Sequence, residues 1–444
     1  MIRVRPKGRP GVEQARDREA GLSVRRFAFI HATIVALAAA PFAAAQGPAP
    51  LALSRQQAVD SALAHNPSLS VLQEQVSQAR ARKVQSTAFP DPTLTADYAG
   101  ASKLFKPGSR TGGDVALGIT VPFPYKFHLL GTIGQADVDA AELSLTQLRQ
   151  ETTAQTVQAY DALLVALQHH ADLTEGKTLA ETFLAKTKTR FEAGTVARID
   201  VLKASVDLAA AKNALIANER DLANARSALD RLLGRALGSP IEATDSLVVP
   251  DSLPPLDTLI ALAHARRPEL QSLARQRAGA ASATTLARQF WIPDLAIDLE
   301  KNWADPDPAT YTAGIGITVP LFFWNHTRGE VAESQHHEYE LEAAYRDLAA
   351  QVDLDVRQSY ANAASAAEQG AYLRDELLPE ARRVYDITLT SYGIGGSSAL
   401  DVLDARRTML DALSQYADAL GAANDARADL ERAVGGLLSS GDSQ

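Results

Sequence analysis

Nine histidines and no cysteine make metal binding the first chemistry to test in this 444-residue chain. His169-His170 and His336-His337 are adjacent pairs in segments of helical period. Consecutive side chains on a helix point about 100° apart, so neither pair is placed to chelate one ion. Glu333 and His336 form a Glu-x-x-His spacing, the kind used by di-metal carboxylate bundles. Those bundles need two such motifs and further glutamates, and only one is found. The histidines therefore read as solvated helix faces, and Asp353 and Asp355 as barrel-lining or surface charge. There is no Gly-rich phosphate loop with its Lys and no nucleophile elbow. With no catalytic constellation, the expectation is a protein that is not an enzyme and takes no cofactor or metal.

Charge and leader come next. Arg25 and Arg26 precede an apolar run, Phe27 to Phe42, closing on Ala43-Ala44-Ala45-Gln46. A basic flank, a short apolar stretch and an Ala-x-Ala end describe a secretory signal peptide over residues 1–45. The run is short and alanine-rich for a membrane span, which needs about 20 strongly apolar residues. Without cysteine, no lipid anchor is expected at the mature N-terminus. Residues 1–45 carry eight Lys/Arg and three Asp/Glu, so their removal takes the formal charge from −9 to −14. Such an acidic protein is a poor nucleic-acid ligand. After the leader no stretch approaches 18 apolar residues, so any membrane crossing falls to strands.

The chain is written twice. Phe191-Glu-Ala-Gly194-Thr-Val-Ala-Arg-Ile-Asp200-Val-Leu matches Tyr392-Gly-Ile-Gly395-Gly-Ser-Ser-Ala-Leu-Asp401-Val-Leu at an offset of 201. The same offset carries Asn66-Pro67-Ser-Leu69 onto Arg267-Pro268-Glu-Leu270, and an offset of 198 carries Gly118-Ile-Thr-Val-Pro-Phe123 onto Gly316-Ile-Thr-Val-Pro-Leu321. A repeat this long is a duplicated domain rather than a solenoid unit. The copies are read as 46–250 and 251–436, with a short tail at 437–444.

Each copy holds long helices and a few strands. No proline occurs in the 115 residues between Pro124 and Pro240, a stretch rich in Ala, Leu, Gln, Arg and Glu, all good helix formers. The second copy repeats this from about Arg328 to Ala433, interrupted by Pro379 and a few glycines. A 60-residue helix is about 90 Å long and must lie in a bundle or coiled coil. Reversals are expected at 192–199 and 393–400, where Gly194 and Gly395 can end one helix and Asp200 and Asp401 can cap the next. Strands are expected at about 92–99, 114–122, 294–303 and 311–319, with apolar residues alternating and Trp291, Trp303, Tyr311 and Trp324 flanking the second pair. Loops 100–113 and 304–310 would cap an outer mouth. Four strands cannot close a barrel, and lipid does not tolerate open edges; bacterial barrels begin at eight strands. A barrel therefore implies an oligomer.

The Asn-Pro-x-Leu opening, the Gly-Ile-Thr-Val-Pro strand ends and the tips Arg190-Phe-Glu-Ala-Gly-Thr-Val and Ser391-Tyr-Gly-Ile-Gly together resemble the TolC-like outer membrane efflux protein family, from Leu53 to Gly435. Pro320-Leu-Phe-Phe-Trp-Asn325 and Pro122-Phe-Pro-Tyr-Lys126 are more similar to its heavy-metal cation branch. The resemblance implies a mainly α fold with a small β part. Duplicated long-helix hairpins would form a homotrimeric α-barrel, with four strands per chain in a shared 12-stranded transmembrane β-barrel. It implies a passive exit duct in the outer membrane of a Gram-negative bacterium, with a large periplasmic part. Its partners would be outer membrane lipid, a periplasmic adaptor and an inner-membrane transporter of the RND type or another pump. Asp200 and Tyr392, with Arg198 and Asp401 nearby, match the family's periplasmic aperture. Gly194, Thr195, Gly395 and Gly396 match its adaptor-contact tips. One departure is Ser397, where the family often carries an arginine. Two other readings stand beside this one: a duct for type I protein secretion, and a soluble periplasmic coiled-coil scaffold or adaptor.

Overall fold

The computed structural model describes residues 51–99, 112–249, 253–304, 307–318 and 323–437. The expected leader and most of the tail lie outside these residues. The first copy runs β1 (Leu51–Leu53), α1 (Arg55–His65), α2 (Pro67–Ser86), β2 (Thr93–Ala99), β3 (Gly112–Val121), α3 (Pro124–Glu192), α4 (Arg198–Leu232) and β4 (Ile241–Ala243). The second runs α5 (Leu256–Arg266), α6 (Pro268–Arg288), β5 (Asp294–Ala304), β6 (Asp307–Thr318), α7 (Phe323–Tyr372), α8 (Leu378–Ile394) and α9 (Ala399–Val434).

Proline sets the breaks. The residue before a proline is pushed out of the helical region. Asn66 accordingly sits at φ −66°, ψ 120° and Arg267 at φ −65°, ψ 117°, so both copies bend alike between their short helices. Where proline is absent, α3 continues for 69 residues, about 100 Å. Pro379 interrupts the second copy less than its chemistry suggests. It has no N–H and its ring crowds the preceding turn. A single π-turn, Leu373–Leu377, takes up the misfit and α8 follows directly.

The four long strands form one antiparallel sheet in the order β2-β3-β5-β6. β3–β5 is the seam between the copies. Register puts apolar residues in rows on one face: Leu94–Leu117–Leu299, Ile119–Ile297–Ile315 and Val121–Leu295–Ile317. Most of these side chains are exposed within the chain, Ile315 to 82%, while Ile119 and Val121 are partly buried. The opposite face carries Thr93–Gly118–Asp298–Gly314, Thr95–Ala116–Glu300–Thr312 and Asp97–Asp114–Asn302–Thr310. β2 and β6 each pair on one side only. Tyr98 and Trp303 meet edge to face at 6.1 Å near one end of the sheet, and Phe89 and Phe127 lie 5.3 Å apart at the other. Lys126 Nζ reaches Asp294 Oδ1 at 2.8 Å, joining the start of α3 to the start of β5. Parts of the expected mouth loops are strand: 112–113 open β3, 304 closes β5 and 307–310 open β6. The positions 100–111 and 305–306 lie outside the described residues.

The core is distributed. One apolar cluster gathers Ala58, Tyr160, Leu163, Leu229 and Ile241 in the first copy. Another gathers Leu259, Val352, Val356 and Leu430 in the second. A third, toward the helix reversals, draws Phe183, Ala204, Tyr385, Tyr392, Val402 and Met409 from both copies. A parallel pair, β1–β4, ties the start of the first copy to its end, with register Leu51↔Ile241. Three-residue strands carry too little alternation to be read in advance.

The glycines that end α4 and α9 repeat one contact. Gly234 (φ 66°) approaches the His65 carbonyl closing α1, and Gly435 (φ 87°) approaches Arg266 closing α5. Substitution separates conformational strain from crowding. Gly194 also has positive φ (74°) but nothing within 4 Å of an added Cβ, whereas at Gly234 that Cβ would lie 2.5 Å from the His65 carbonyl oxygen. Gly194→Ala is expected to cost about 1 kcal/mol. Gly234→Ala is expected to cost about 1–3 kcal/mol more. Thermal melts of the two variants in detergent check this, and equal melting temperatures would contradict it.

Candidate functional site

The two helix reversals are built alike. Gly194 at φ 74° and Gly395 at φ 86° adopt the left-handed conformation that only glycine enters cheaply. Thr195 N then donates to Arg190 O at 2.9 Å, and Gly396 N to Ser391 O at 2.8 Å, satisfying carbonyls at the helix ends. The following caps differ. Ser398 caps α9: its hydroxyl accepts from Asp401 N at 3.2 Å, while Asp401 Oδ2 accepts from Ser398 N at 2.8 Å. These contacts hold the Asp401 carboxyl below its usual range. In the first copy Ala197 occupies the cap and has no side chain to offer. Asp401 is thus the third residue of α9, closing the box from inside the helix, and Asp200 is not the cap the sequence suggested. It stands in the first turn of α4, bonded through its N–H to Ala197 O at 3.0 Å.

Tyr392 is the centre of the tip. It is 1% exposed. Its hydroxyl donates to Thr187 Oγ1 at 3.2 Å, and its ring lies 5.3 Å from Phe183. The Arg190 guanidinium sits 4.6 Å above that ring and donates through Nη1 to the Tyr392 carbonyl. Arg190 Nε also donates to Thr195 Oγ1 at 3.3 Å. One arginine therefore joins the turn of the first hairpin to the second. Gly194, Thr195, Arg198, Gly395, Gly396 and Asp401 are exposed, and Asp200 is partly so. Within the chain, Tyr392 meets Arg190 and Thr187 rather than Asp200. Ser397 donates its hydroxyl to Thr388 O at 3.0 Å. Sequence reasoning gave Arg190 no role. Its signal was a break in the repeat, since the residue 201 positions on is Ser391.

The two histidine pairs differ: His336 and His337 lie exposed on α7, where His337 meets Glu340 of its own helix, whereas His169 and His170 serve as struts. His169 Nε2 lies 2.9 Å from Asp418 Oδ1 on α9, and His170 Nδ1 lies 3.1 Å from Asn218 Oδ1 on α4. Adjacent residues thus contact helices on different sides of α3. Asp353 pairs with His264 at 2.7 Å and Asp355 with Arg267 at 3.1 Å, so both tie α7 to the α5–α6 bend. Among the described residues no group of three His, Cys, Asp or Glu could hold a metal ion. Among them, too, no helix is long and apolar enough to cross a membrane.

Higher on the α3–α9 seam, Gln158 Nε2 donates to Asp429 Oδ1 at 3.1 Å. Asp161 is 1% exposed and is bonded by Arg55 Nε at 3.1 Å. Asp425 has a buried Oδ1 without a partner. Burial, with the Asp161 and Asp429 charges adding to it, pushes the Asp425 carboxyl up to about 6. Burial raises Asp161 as well, against the pull of Arg55.

With this geometry described, similarity to known proteins is informative. The family model described as "Outer membrane efflux protein" matches residues 58–235 and 259–436. The cobalt-zinc-cadmium resistance protein CzcC of Cupriavidus metallidurans is 25% identical over 394 residues, covering 86% of this chain and 90% of that protein. The solved structure of the outer membrane protein VceC from Vibrio cholerae superposes with a TM-score of 0.73 at 17% identity, over 86% of this chain and 96% of that one. CusC, described as forming a transmembrane channel, superposes with a TM-score of 0.73 at 17% identity, over 86% and 92%. At these identities the structural likeness establishes the fold.

Two outcomes follow from the geometry. Arg190→Ala removes a charge-assisted hydrogen bond and a cation–π contact, about 2–3 kcal/mol together. Tyr392→Phe removes one hydroxyl bond, about 1 kcal/mol. Limited proteolysis at the tips should therefore accelerate more in the first variant than in the second; the reverse order would contradict the assignment. The Asp425 carboxyl is raised in the fold. Its penalty is absent below pH 4, grows as pH rises from about 4 to about 6, and is complete above that. Asp425→Asn is expected to stabilise the protein at pH 7.5 by about 1–2 kcal/mol, after allowance for solvent screening, and by nothing at pH 4. Melting temperatures at the two pH values check the sign.

Proposed function

Because this chain belongs to the outer membrane efflux protein family, we propose that it is the outer membrane duct of a tripartite pump that exports metal cations. The sheet carries this reading. One face is apolar and largely exposed, with Lys301 near its end folded over Tyr311, the other presents Asp97, Asp114, Asp298 and Glu300, and both edge strands lack a partner on one side. In hydrocarbon every backbone polar group must be satisfied, so four strands require copies to close. Three chains give a 12-stranded barrel, apolar toward lipid and acidic toward water, with the helices continuing the conduit into the periplasm. Residues 1–45 act as a cleaved leader, and 46–250 and 251–436 as the two repeats.

An acidic lumen attracts cations, and CzcC is named as a cobalt-zinc-cadmium resistance protein. The duct itself is passive. An inner-membrane transporter supplies the energy, and a periplasmic adaptor engages the exposed tips at Gly194, Thr195, Gly395 and Gly396. Asp200 and Arg198, exposed beside them to different degrees, face neighbouring copies around the aperture that Tyr392 and Asp401 help to shape. Opening is an outward swing of the tips biased by adaptor contacts.

Detergent-purified protein is expected to have the mass of three chains and to give stepwise conductance in planar bilayers. A salt gradient should give a cation-selective reversal potential that Asp298→Asn with Glu300→Gln reduces. Asp200→Ala with Tyr392→Phe should raise conductance. Monomeric material that stays soluble without detergent overturns the duct, and unchanged conductance in the last variant overturns the aperture role.

A further inference from the structure

Four helices meet at one buried polar point between the histidine struts and the tips. Arg406 on α9 is 5% exposed. Its Nη1 donates to the Gly176 carbonyl of α3 at 3.0 Å, and its Nη2 to Asp207 Oδ1 of α4. Gly176 permits the close approach: a Cβ there would meet Leu410 Cδ2 at 2.9 Å. Tyr385 of α8 feels the charges of both Arg406 and Asp207, and its buried hydroxyl has no partner. A charged fork that engages two helices fixes their relative register in a way apolar packing does not.

The ties on either side of this point differ in kind. Away from the tips, α3 and α9 are joined by His169–Asp418 at 2.9 Å, Gln158–Asp429 at 3.1 Å and Gln150–Gly435 at 2.7 Å. Toward the tips, the polar ties between the two hairpins among the described residues converge on Tyr392. The remaining contacts there are between small or apolar side chains such as Ala204, Ala399, Val402 and Ala405. The segment is also bounded at its other end, because the π-turn Leu373–Leu377 separates α8 from α7. Such turns break the regular hydrogen-bond ladder and serve as joints.

We infer that Arg406 is the positioning residue of the tip: with the π-turn it bounds a segment, residues 378–405, that moves as one unit when the Arg190–Tyr392 contact releases. This rests on the duct reading for its purpose. Its geometry stands on the ion pair, the π-turn and the contacts gathered at Tyr392.

Hydrogen exchange of the full detergent-purified chain tests it. Arg190→Ala is expected to speed exchange at least tenfold in 378–405 and leave 410–430 unchanged. Arg406→Met should extend the loss of protection to 407–418 and to the α3 residues around Gly176. The charge swap Arg406→Asp with Asp207→Arg should restore protection there. Tyr385→Phe, which alters the same pocket without touching the ion pair, should keep the wild-type boundary. Arg406→Lys, which keeps charge and loses the fork, serves if the methionine variant does not fold, and should show the same spread at smaller amplitude. A boundary that ignores Arg406, or a swap that fails to restore it, overturns the inference. Exchange is read independently of conductance. A chain that conducts nothing but keeps this boundary would sink the duct and leave the positioning role standing.

Discussion

A backbone amide in hydrocarbon has no water to fall back on, and the rest of this structure follows from that. The sheet satisfies its interior strands and leaves the outward edges of β2 and β6 unpaired within the chain. A soluble protein would cover such edges with a bulge, a charge or a loop. Here the uncovered face is also lined with leucine and isoleucine. The cheapest solution is to pair each edge with another copy. The helices then inherit the barrel's geometry, since α3 and α7 begin within a few residues of β3 and β6.

The long helices meet a different demand. Nothing globular surrounds α3, so stability is distributed along its length in three clusters rather than gathered in one core. Small residues let the helices approach, as Gly176 does beside Leu410. Polar struts such as His169–Asp418 and Gln158–Asp429 then fix which turn faces which. One buried group beside these struts costs stability. Asp425 is held with an unpartnered oxygen near two other carboxylates, a strain that a protein selected only for stability would have removed.

Duplication explains the plan, and departures from it mark where the copies have specialised. The bends at Asn66-Pro67 and Arg267-Pro268 have nearly identical dihedrals. The glycines closing α4 and α9 make equivalent contacts. At the tips the symmetry fails. Arg190 and Tyr392 have no counterparts at the matching positions of the other copy, which hold Ser391 and Phe191. Each hairpin supplies what the other lacks, and this makes the contact between them specific.

The sequence by itself determined the fold class, because the two periods are local properties. Alternation over 115–121 and 311–317 and the proline-free run after Pro124 record strand and helix without reference to partners. It also determined where the chain reverses, since glycine alone takes positive φ cheaply. Only the tertiary structure decided which side chains meet. Asp200 reads as a cap in isolation, yet the cap position fell one turn earlier, on Ala197. His169 and His170 read as solvated positions pointing about 100° apart, yet packing gave each a partner on a different helix. Arg406 and Asp425 carried no local signal, and Arg190 only a break in the repeat. Their roles depend on partners far along the chain, such as Tyr392 for Arg190, Gly176 for Arg406 and Asp161 for Asp425, and such pairings exist only once the helices have fixed their register.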